Sequence, residues 1–266
     1  MRPENTVAEL AGVPVHYDRY RSDAHGYGTR GRPVTLHCTA AFEEKLQACF
    51  EELWDVCPLG RAEVVTTAGA YVDKPGAHSK GRAFDLDGLF WSERAFVARN
   101  YPREREFYLA VEAVLRKHFG TVLNYRYNAA HRDHFHIDDL AQRGFYKSHR
   151  SRVLFLQMIL THLFETPVAV DGIFGPETSE AAREMLVRRE LASPGALAGG
   201  EALDRTLGEV WFDLLGEVAR AGFADATAAS PPASGPDETP LALLNQVYAA
   251  IDEERVGGWE KTGREA

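Results

Sequence analysis

Two short segments, HSKGRAFDLD at residues 78–87 and HRDHFHID at residues 131–138, combine ionisable side chains with an alternating apolar pattern. Successive side chains of a strand point to opposite faces. In the first segment Phe84 and Leu86 can therefore pack into a core while Asp85 faces a cleft. The pattern predicts a short strand that carries its chemistry on one face.

The second segment repeats this arrangement. On a strand, His134 and His136 share one face, while Phe135 and Ile137 anchor the opposite face. Two imidazoles and one carboxylate, with a fourth position left open, form a plausible catalytic zinc set. The two segments together predict a metal site.

The spacing H-x-x-G-x-A-x-D, followed later by H-x-H, resembles a zinc peptidase superfamily. This superfamily contains D-alanyl-D-alanine carboxypeptidases, penicillin-insensitive murein endopeptidases and the hedgehog signalling domain, and the extensin-like C-terminal domain is a near neighbour. The form H-x-x-H-x-H at 131–136 is similar to the murein endopeptidase branch. The resemblance implies an α+β fold with a small antiparallel sheet and flanking helices. It also implies zinc (Zn2+) held by His78, Asp85 and His136, and amide hydrolysis as the reaction.

Two residues compete for the role of the general base that such hydrolysis needs. His134 matches the first histidine of the family's H-x-H, and Asp133 lies three residues before His136, where the carboxypeptidase branch has a glutamate. On a regular strand Asp133 points away from the metal, which favours His134. His131 is predicted to contact one of the metal-ligating side chains or to stabilise the transition state.

The chain departs from the family pattern near the first segment. The family's serine two positions before the first histidine is Gly76 here, and the nearest candidates for the group that polarises the carbonyl are Tyr71 and Lys74. Asp87 shares a face with Asp85. It could orient a ligand imidazole, or it could be a solvated carboxylate at the strand end.

A second motif, DGIFGPET at residues 171–178, resembles the peptidoglycan-binding type 1 module over about residues 150–190. That module is an all-α unit of three helices, and its Asp-Gly turn and phenylalanine pack between them. The resemblance implies a wall-binding function. The alternative is a fold retained only as a docking unit.

Apolar periodicity predicts helices over residues 40–56, 104–119 and 152–164, and another helix opening at Gly175-Pro176. Residues 1–33 show no periodicity and are predicted to be a loop-rich lead-in. Its tyrosines and arginines at 17–32 are predicted either to line a substrate groove or to lie in a solvated loop. The predicted organisation is a zinc peptidase-like domain at 1–148, a helical domain at 149–224, a linker at 225–240, and a C-terminal helix and tail at 241–266, with the helix at 241–254.

Composition excludes several classes of protein. The 266 residues carry a formal net charge of −9, which argues against a general nucleic-acid binder. No run of 18 apolar residues exists, so no membrane span is predicted. The first five residues contain no apolar segment, and no secretory signal is visible. The three cysteines are expected to be small buried residues, since Cys49 and Cys57 lie too far apart on one helix to bridge, although Cys38 could reach one of them.

Both motifs indicate the same substrate, and the sequence predicts a zinc peptidase that cleaves a stem-peptide or cross-link amide of peptidoglycan. The cell wall or periplasm is the location expected from that substrate. The alternatives are a non-catalytic zinc-binding or wall-binding protein, and a delivered lysin or toxin with the same chemistry. Oligomeric state, export route and the bond cleaved are not given by the sequence.

Overall fold

The computed structural model describes residues 2–19, 29–73, 75–199 and 201–226, and these ranges form an α+β fold, as predicted. Its helices are α1 (Ala40–Val56), α2 (Arg105–His118), α3 (Arg150–His162), α4 (Pro176–Arg188) and α5 (Ala202–Gly222). Its strands are β1 (Thr6–Val7), β2 (Glu9–Leu10), β3 (Val13–Tyr17), β4 (Arg32–Pro33), β5 (Leu36–His37), β6 (Val64–Gly69), β7 (Ala83–Phe90), β8 (Ala95–Val97), β9 (Thr121–Leu123) and β10 (Phe135–Asp138).

Local sequence signals set the helix ends. Thr39 caps α1 because its side chain accepts a hydrogen bond from the backbone N–H of Phe42. Pro176 occupies the first turn of α4, where its missing N–H has no intrahelical partner to lose. Four of the helices predicted from periodicity therefore occur within about two residues of their expected bounds.

The main sheet has the order β2-β3-β6-β7-β10-β9, with β4 beside β3 and β8 beside β7. The sheet differs from the small antiparallel sheet that was predicted, because it has eight strands in the part of the chain that the structure describes and β3 pairs with β6 in parallel. Parallel neighbours need a long crossover, and α1 lies in the connection between these two strands. The lead-in predicted as loop also differs, since Val13 and Val15 are buried and β3 joins the sheet.

Helix α2 packs against α1 on one side and α5 on another. At its N-terminal end the rings of Phe107 and Phe223 lie 4.9 Å apart in an edge-to-face arrangement. One continuous apolar core runs from Val7 to Ala226. The boundary predicted at residue 148 therefore does not separate two hydrophobic cores.

The three cysteines are buried and free, so none of them forms a disulfide. No helix within the described residues is long and apolar enough to cross a bilayer. The predicted linker at 225–240 is described only as far as Ala226, and the predicted helix at 241–254 lies outside the described residues.

Candidate metal centre

The adjacent strands β7 and β10 bring the three predicted ligands together. Asp85 and His136 are direct cross-strand partners in the antiparallel register, and a short 3-10 turn before β7 supplies His78. Oδ1 of Asp85 lies 3.0 Å from Nδ1 of His136 and 3.2 Å from Nε2 of His78. The two histidine nitrogens are 3.1 Å apart. Three donor atoms thus converge on one point.

Outer partners orient the ring of each histidine. Nδ1 of His78 donates to the carbonyl of Ala70 at 2.5 Å, which leaves Nε2 as the atom that faces the centre. Nε2 of His136 faces Oδ2 of Asp138 at 3.3 Å and donates to it, which leaves Nδ1 as the inward atom. The two histidines therefore present different ring nitrogens to the centre. The role of Asp138 was not predicted, although its place two residues after His136 was a usable signal.

This donor set fits a zinc ion. Donors bound to a tetrahedral zinc at about 2.0–2.1 Å lie about 3.3 Å from one another, and the three observed separations are 3.0, 3.1 and 3.2 Å. Two imidazoles and one carboxylate also form the ligand set of known catalytic zinc sites with an open fourth position. Among the described residues this trio is the group with metal-binding geometry.

In the trio of His78, Asp85 and His136, the buried carboxyl group of Asp85 lies between two imidazoles, and this sets the pKa values. Burial by itself raises the pKa of Asp85, but hydrogen bonds with His136 and His78 outweigh it and hold that pKa well below its usual range. Burial lowers the pKa of His136, while hydrogen bonds with Asp138 and Asp85 raise it to about 9, so Nδ1 carries a proton at pH 7 that a bound metal would displace. The carboxylate of Asp85 is therefore ionised, as a metal ligand must be.

His134 and Asp133 form a dyad beside the trio. Nδ1 of His134 lies 2.7 Å from Oδ1 of Asp133, and Nε2 lies 3.6 Å from Oδ1 of Asp85. A carboxylate only accepts hydrogen bonds, so Nδ1–H of His134 donates to Asp133 and the lone pair of Nε2 faces the centre. Asp133 thus contacts the ring nitrogen of His134 that faces away from Asp85, although neither residue of the dyad lies in β10, which begins at Phe135.

His131 lies close to both His134 and His136. Its ring centroid is 5.4 Å from that of His134 and 5.6 Å from that of His136. Nδ1–H donates to Oδ1 of Asn128 at 2.8 Å. Burial, together with the nearby His134 and His136, lowers the pKa of His131 to about 4. His131 is therefore neutral at pH 7, and its Nε2 is an acceptor.

The structure also places Arg19 in the site, one of the arginines at 17–32 that were predicted to line a groove or to be solvated. Its Nη2 atom lies 2.8 Å from Oδ1 of Asp87 and 3.6 Å from Oδ1 of Asp133. The same atom is 3.0 Å from Nδ1 of His134, but Nδ1 carries a proton in the tautomer above and cannot accept from Arg19. Arg19 therefore pairs with Asp87 and with Asp133, the carboxylate of the dyad.

One expectation about this part of the site needs correction. Asp87 is fully buried and pairs with Arg19, so it is not a solvated strand-end carboxylate. Burial raises its pKa to about 7, against the opposing effect of Arg19. Of the two residues expected to polarise a carbonyl, Lys74 lies outside the described residues and Tyr71 is half-buried. The cation beside the described site residues is Arg19.

The signal that could have identified Arg19 is its position just after β3. That strand runs parallel to β6, so Arg19 and the segment after β6 emerge at the same edge of the sheet. The segment after β6 begins with Ala70, whose carbonyl binds His78.

Comparison with known proteins identifies one segment. Residues 61–150 match the family described as extensin-like protein C-terminus, the near neighbour named from the motifs. The matched segment contains the trio, the dyad and His131, whereas Arg19 and most of the helical region lie outside it. No curated protein and no solved structure matches the chain.

Proposed function

We propose that this protein is a zinc-dependent hydrolase that cleaves an amide bond in peptidoglycan stem peptides or their cross-links. The observation that carries the proposal is the convergence of His78, Asp85 and His136 with separations of 3.0–3.2 Å, beside a histidine whose Nε2 faces the same point. When bound by this trio, zinc would lower the pKa of water and polarise a carbonyl group.

The dyad supplies the general base. Nε2 of His134 takes a proton from the attacking water and later gives it to the leaving amine. Asp133 holds the imidazole in the required tautomer and stabilises it when it becomes charged, as a carboxylate does in other acid–base dyads. The side chain of Asp133 therefore acts through His134 and does not compete with it.

The other residues around the centre have complementary roles. Arg19 places a fixed positive charge beside the dyad, where it favours the negative charge that develops on the scissile carbonyl oxygen. His131 presents an acceptor nitrogen, which suits a substrate N–H group. Arg19 is a candidate for the group that polarises the carbonyl, and this supports a hydrolase over a non-catalytic zinc protein.

The peptidoglycan substrate rests on the two sequence motifs. The family neighbour at residues 61–150 supports the first of them. The DGIFG turn of the second motif lies between α3 and α4, and the ring of Phe174 packs 5.6 Å from that of Phe145. Wall binding by the helical region is part of the proposal.

The test is digestion of purified sacculi and of soluble stem peptides by the full chain, with products identified by mass spectrometry. We expect new amine and carboxyl termini at one type of amide bond, and loss of both zinc and activity in His136→Ala. His37→Ala is the matched control. His37 lies on β5, outside the centre, and its Nδ1 forms a hydrogen bond with the carbonyl of Pro3. Intact sacculi and peptides after incubation with the zinc-loaded protein would exclude the hydrolase.

A further inference from the structure

The loop at residues 171–174 is held firmly by a buried glutamine on α3. Nε2 of Gln157 lies 2.9 Å from Oδ1 of Asp171, 3.0 Å from the carbonyl oxygen of Ile173 and 3.0 Å from Oγ1 of Thr178, and its two hydrogens are shared among these acceptors. Its Oε1 accepts from the backbone N–H of Gly172 at 2.8 Å. One fully buried side chain therefore fixes the position of the whole turn.

This turn lies against the first residue of α3. A Cβ atom added to Gly172 would lie 2.7 Å from Cγ of Arg150, and φ of Gly172 is +80°. Only glycine allows the turn to pass so close to the stem of Arg150. The packing restricts where the guanidinium of Arg150 can go.

Arg150 in turn holds the segment that leads to His131. Its Nη1 donates to the carbonyl of Tyr127 at 2.6 Å, and its guanidinium lies 5.4 Å from the centre of the Tyr127 ring. A second link joins the same two segments, since Arg126 donates to the carbonyl of Val170 at 3.4 Å. The helical region thus contacts this loop at two points.

The last contact reaches the metal centre. The rings of Tyr127 and His131 lie in an edge-to-face arrangement with centroids 6.0 Å apart. The ring centroid of His131 is 5.4 Å from that of His134 and 5.6 Å from that of His136. A series of contacts therefore runs from Gly172 through Arg150 and Tyr127 to His131, which lies beside the metal centre.

We propose that the DGIF turn of the helical region is a positioning element of the metal centre, which acts through Arg150 and Tyr127 to hold the ring of His131. Arg150 is the positioning residue. This inference rests on the proposed hydrolase function, and it gives the second motif a role inside the active site in addition to wall binding.

The first test measures catalysis by the full chain on a soluble peptide substrate. Arg150→Gln should lower kcat about tenfold, leave KM within about twofold and leave zinc content unchanged, as loss of an outer positioning contact does. Arg150→Lys keeps a donor for the Tyr127 carbonyl and should recover most of kcat. Arg220→Gln is the matched control, because Arg220 lies on α5, is 72% exposed and bonds only within its own helix among the described residues.

The second test requires no activity. In histidine-labelled full-length protein, the ring resonances of His131, assigned by their loss in His131→Gln, should shift in Arg150→Gln and in Gly172→Ala. They should stay in place in Arg220→Gln, and the His78 resonances should not move in any variant. Unchanged His131 resonances in Arg150→Gln would overturn the positioning role, even if the protein is an active hydrolase. If the His131 resonances shift in Arg150→Gln but the parent protein cleaves none of the substrates, the positioning role stands and the proposed hydrolase function is contradicted.

Discussion

At the scale of single residues, the site depends on which neighbour binds which ring nitrogen. Asp133 and His134 are adjacent in the chain, yet only His134 directs an atom at Asp85, with Nε2 3.6 Å from Oδ1. Sequence spacing alone left both as candidates for the base. If the protein is the proposed hydrolase, the hydrogen bond between them favours His134 as the base and Asp133 as its support.

We predict that His134→Ala lowers kcat by about 10²–10⁴ while zinc stays bound, because proton transfer needs a base and coordination does not. Asp133→Ala should have a smaller effect, since a correctly placed imidazole remains. Zinc content by metal analysis and kcat on a soluble peptide are the measurements. If Asp133→Ala is the more damaging change with zinc retained, the carboxylate is the base.

At the scale of elements, the junction of α2 and α5 depends on close backbone approach. A Cβ atom on Gly222 would collide with the carbonyl of Glu106 and lie 2.9 Å from Cβ of Ala110. By contrast, a Cβ atom on Gly216 in the same helix would meet nothing within 4 Å.

Gly222→Ala should therefore lower the free energy of unfolding by about 1–3 kcal/mol, as overpacking of a core does. Gly216→Ala should raise it by up to about 1 kcal/mol through helix propensity. Denaturant unfolding followed by circular dichroism measures both. Equal effects of the two substitutions would mean that α5 does not pack tightly on α2.

A charged cluster joins α1 to the end of β10. Asp139 accepts from Nε of Arg82 at 2.7 Å and from Nζ of Lys45 at 2.5 Å. Burial raises the pKa of Asp139, but these hydrogen bonds outweigh it and lower that pKa below its usual value. A lowered folded-state pKa adds stability above the unfolded pKa of about 3.9, and this stability is lost as pH falls through the folded value.

We therefore expect Asp139→Asn to reduce the free energy of unfolding by about 1 kcal/mol at pH 7. The difference from the parent protein should shrink as pH falls below about 4 and through the lower folded-state pKa, because the carboxylate of Asp139 is neutralised over that range. Asp55→Asn on the exposed side of α1 is the control. Unfolding curves at pH 7, 4 and 3 provide the comparison, and a difference that persists unchanged at pH 3 would rule out the charge as the cause.

The limits of sequence-based prediction follow from the range of the interactions involved. Local periodicity located α1 to α4, and the alternating segments located β7 and β10 with His78, Asp85 and His136. The place of Arg19 depends on the parallel pairing of β3 with β6, which no local pattern records. The burial of Asp87 likewise depends on what covers the strand in three dimensions.

At the scale of the whole molecule, the two parts suggested by the sequence fold around one core. Phe107 on α2 packs against Phe223, so removal of the chain after residue 148 would expose the apolar face of α2. A fragment ending at residue 148 would therefore lose stability before it could report on wall binding. Substitutions in the full chain, such as those at Arg150, separate anchoring from catalysis.

The three buried thiols can report how often the native protein opens, through the rate at which a reagent modifies them. Cys38 and Cys49 are 0% exposed and Cys57 is 3% exposed. Burial raises the pKa of each thiol, to about 11 for Cys38, so thiolate is scarce as well as shielded. A thiol reagent should therefore modify the folded chain only during transient opening, with three equivalents taken up at once in denaturant. Zinc that binds the native site should slow the labelling further, and labelling at the rate of a free thiol would show that the core around α1 is not closed.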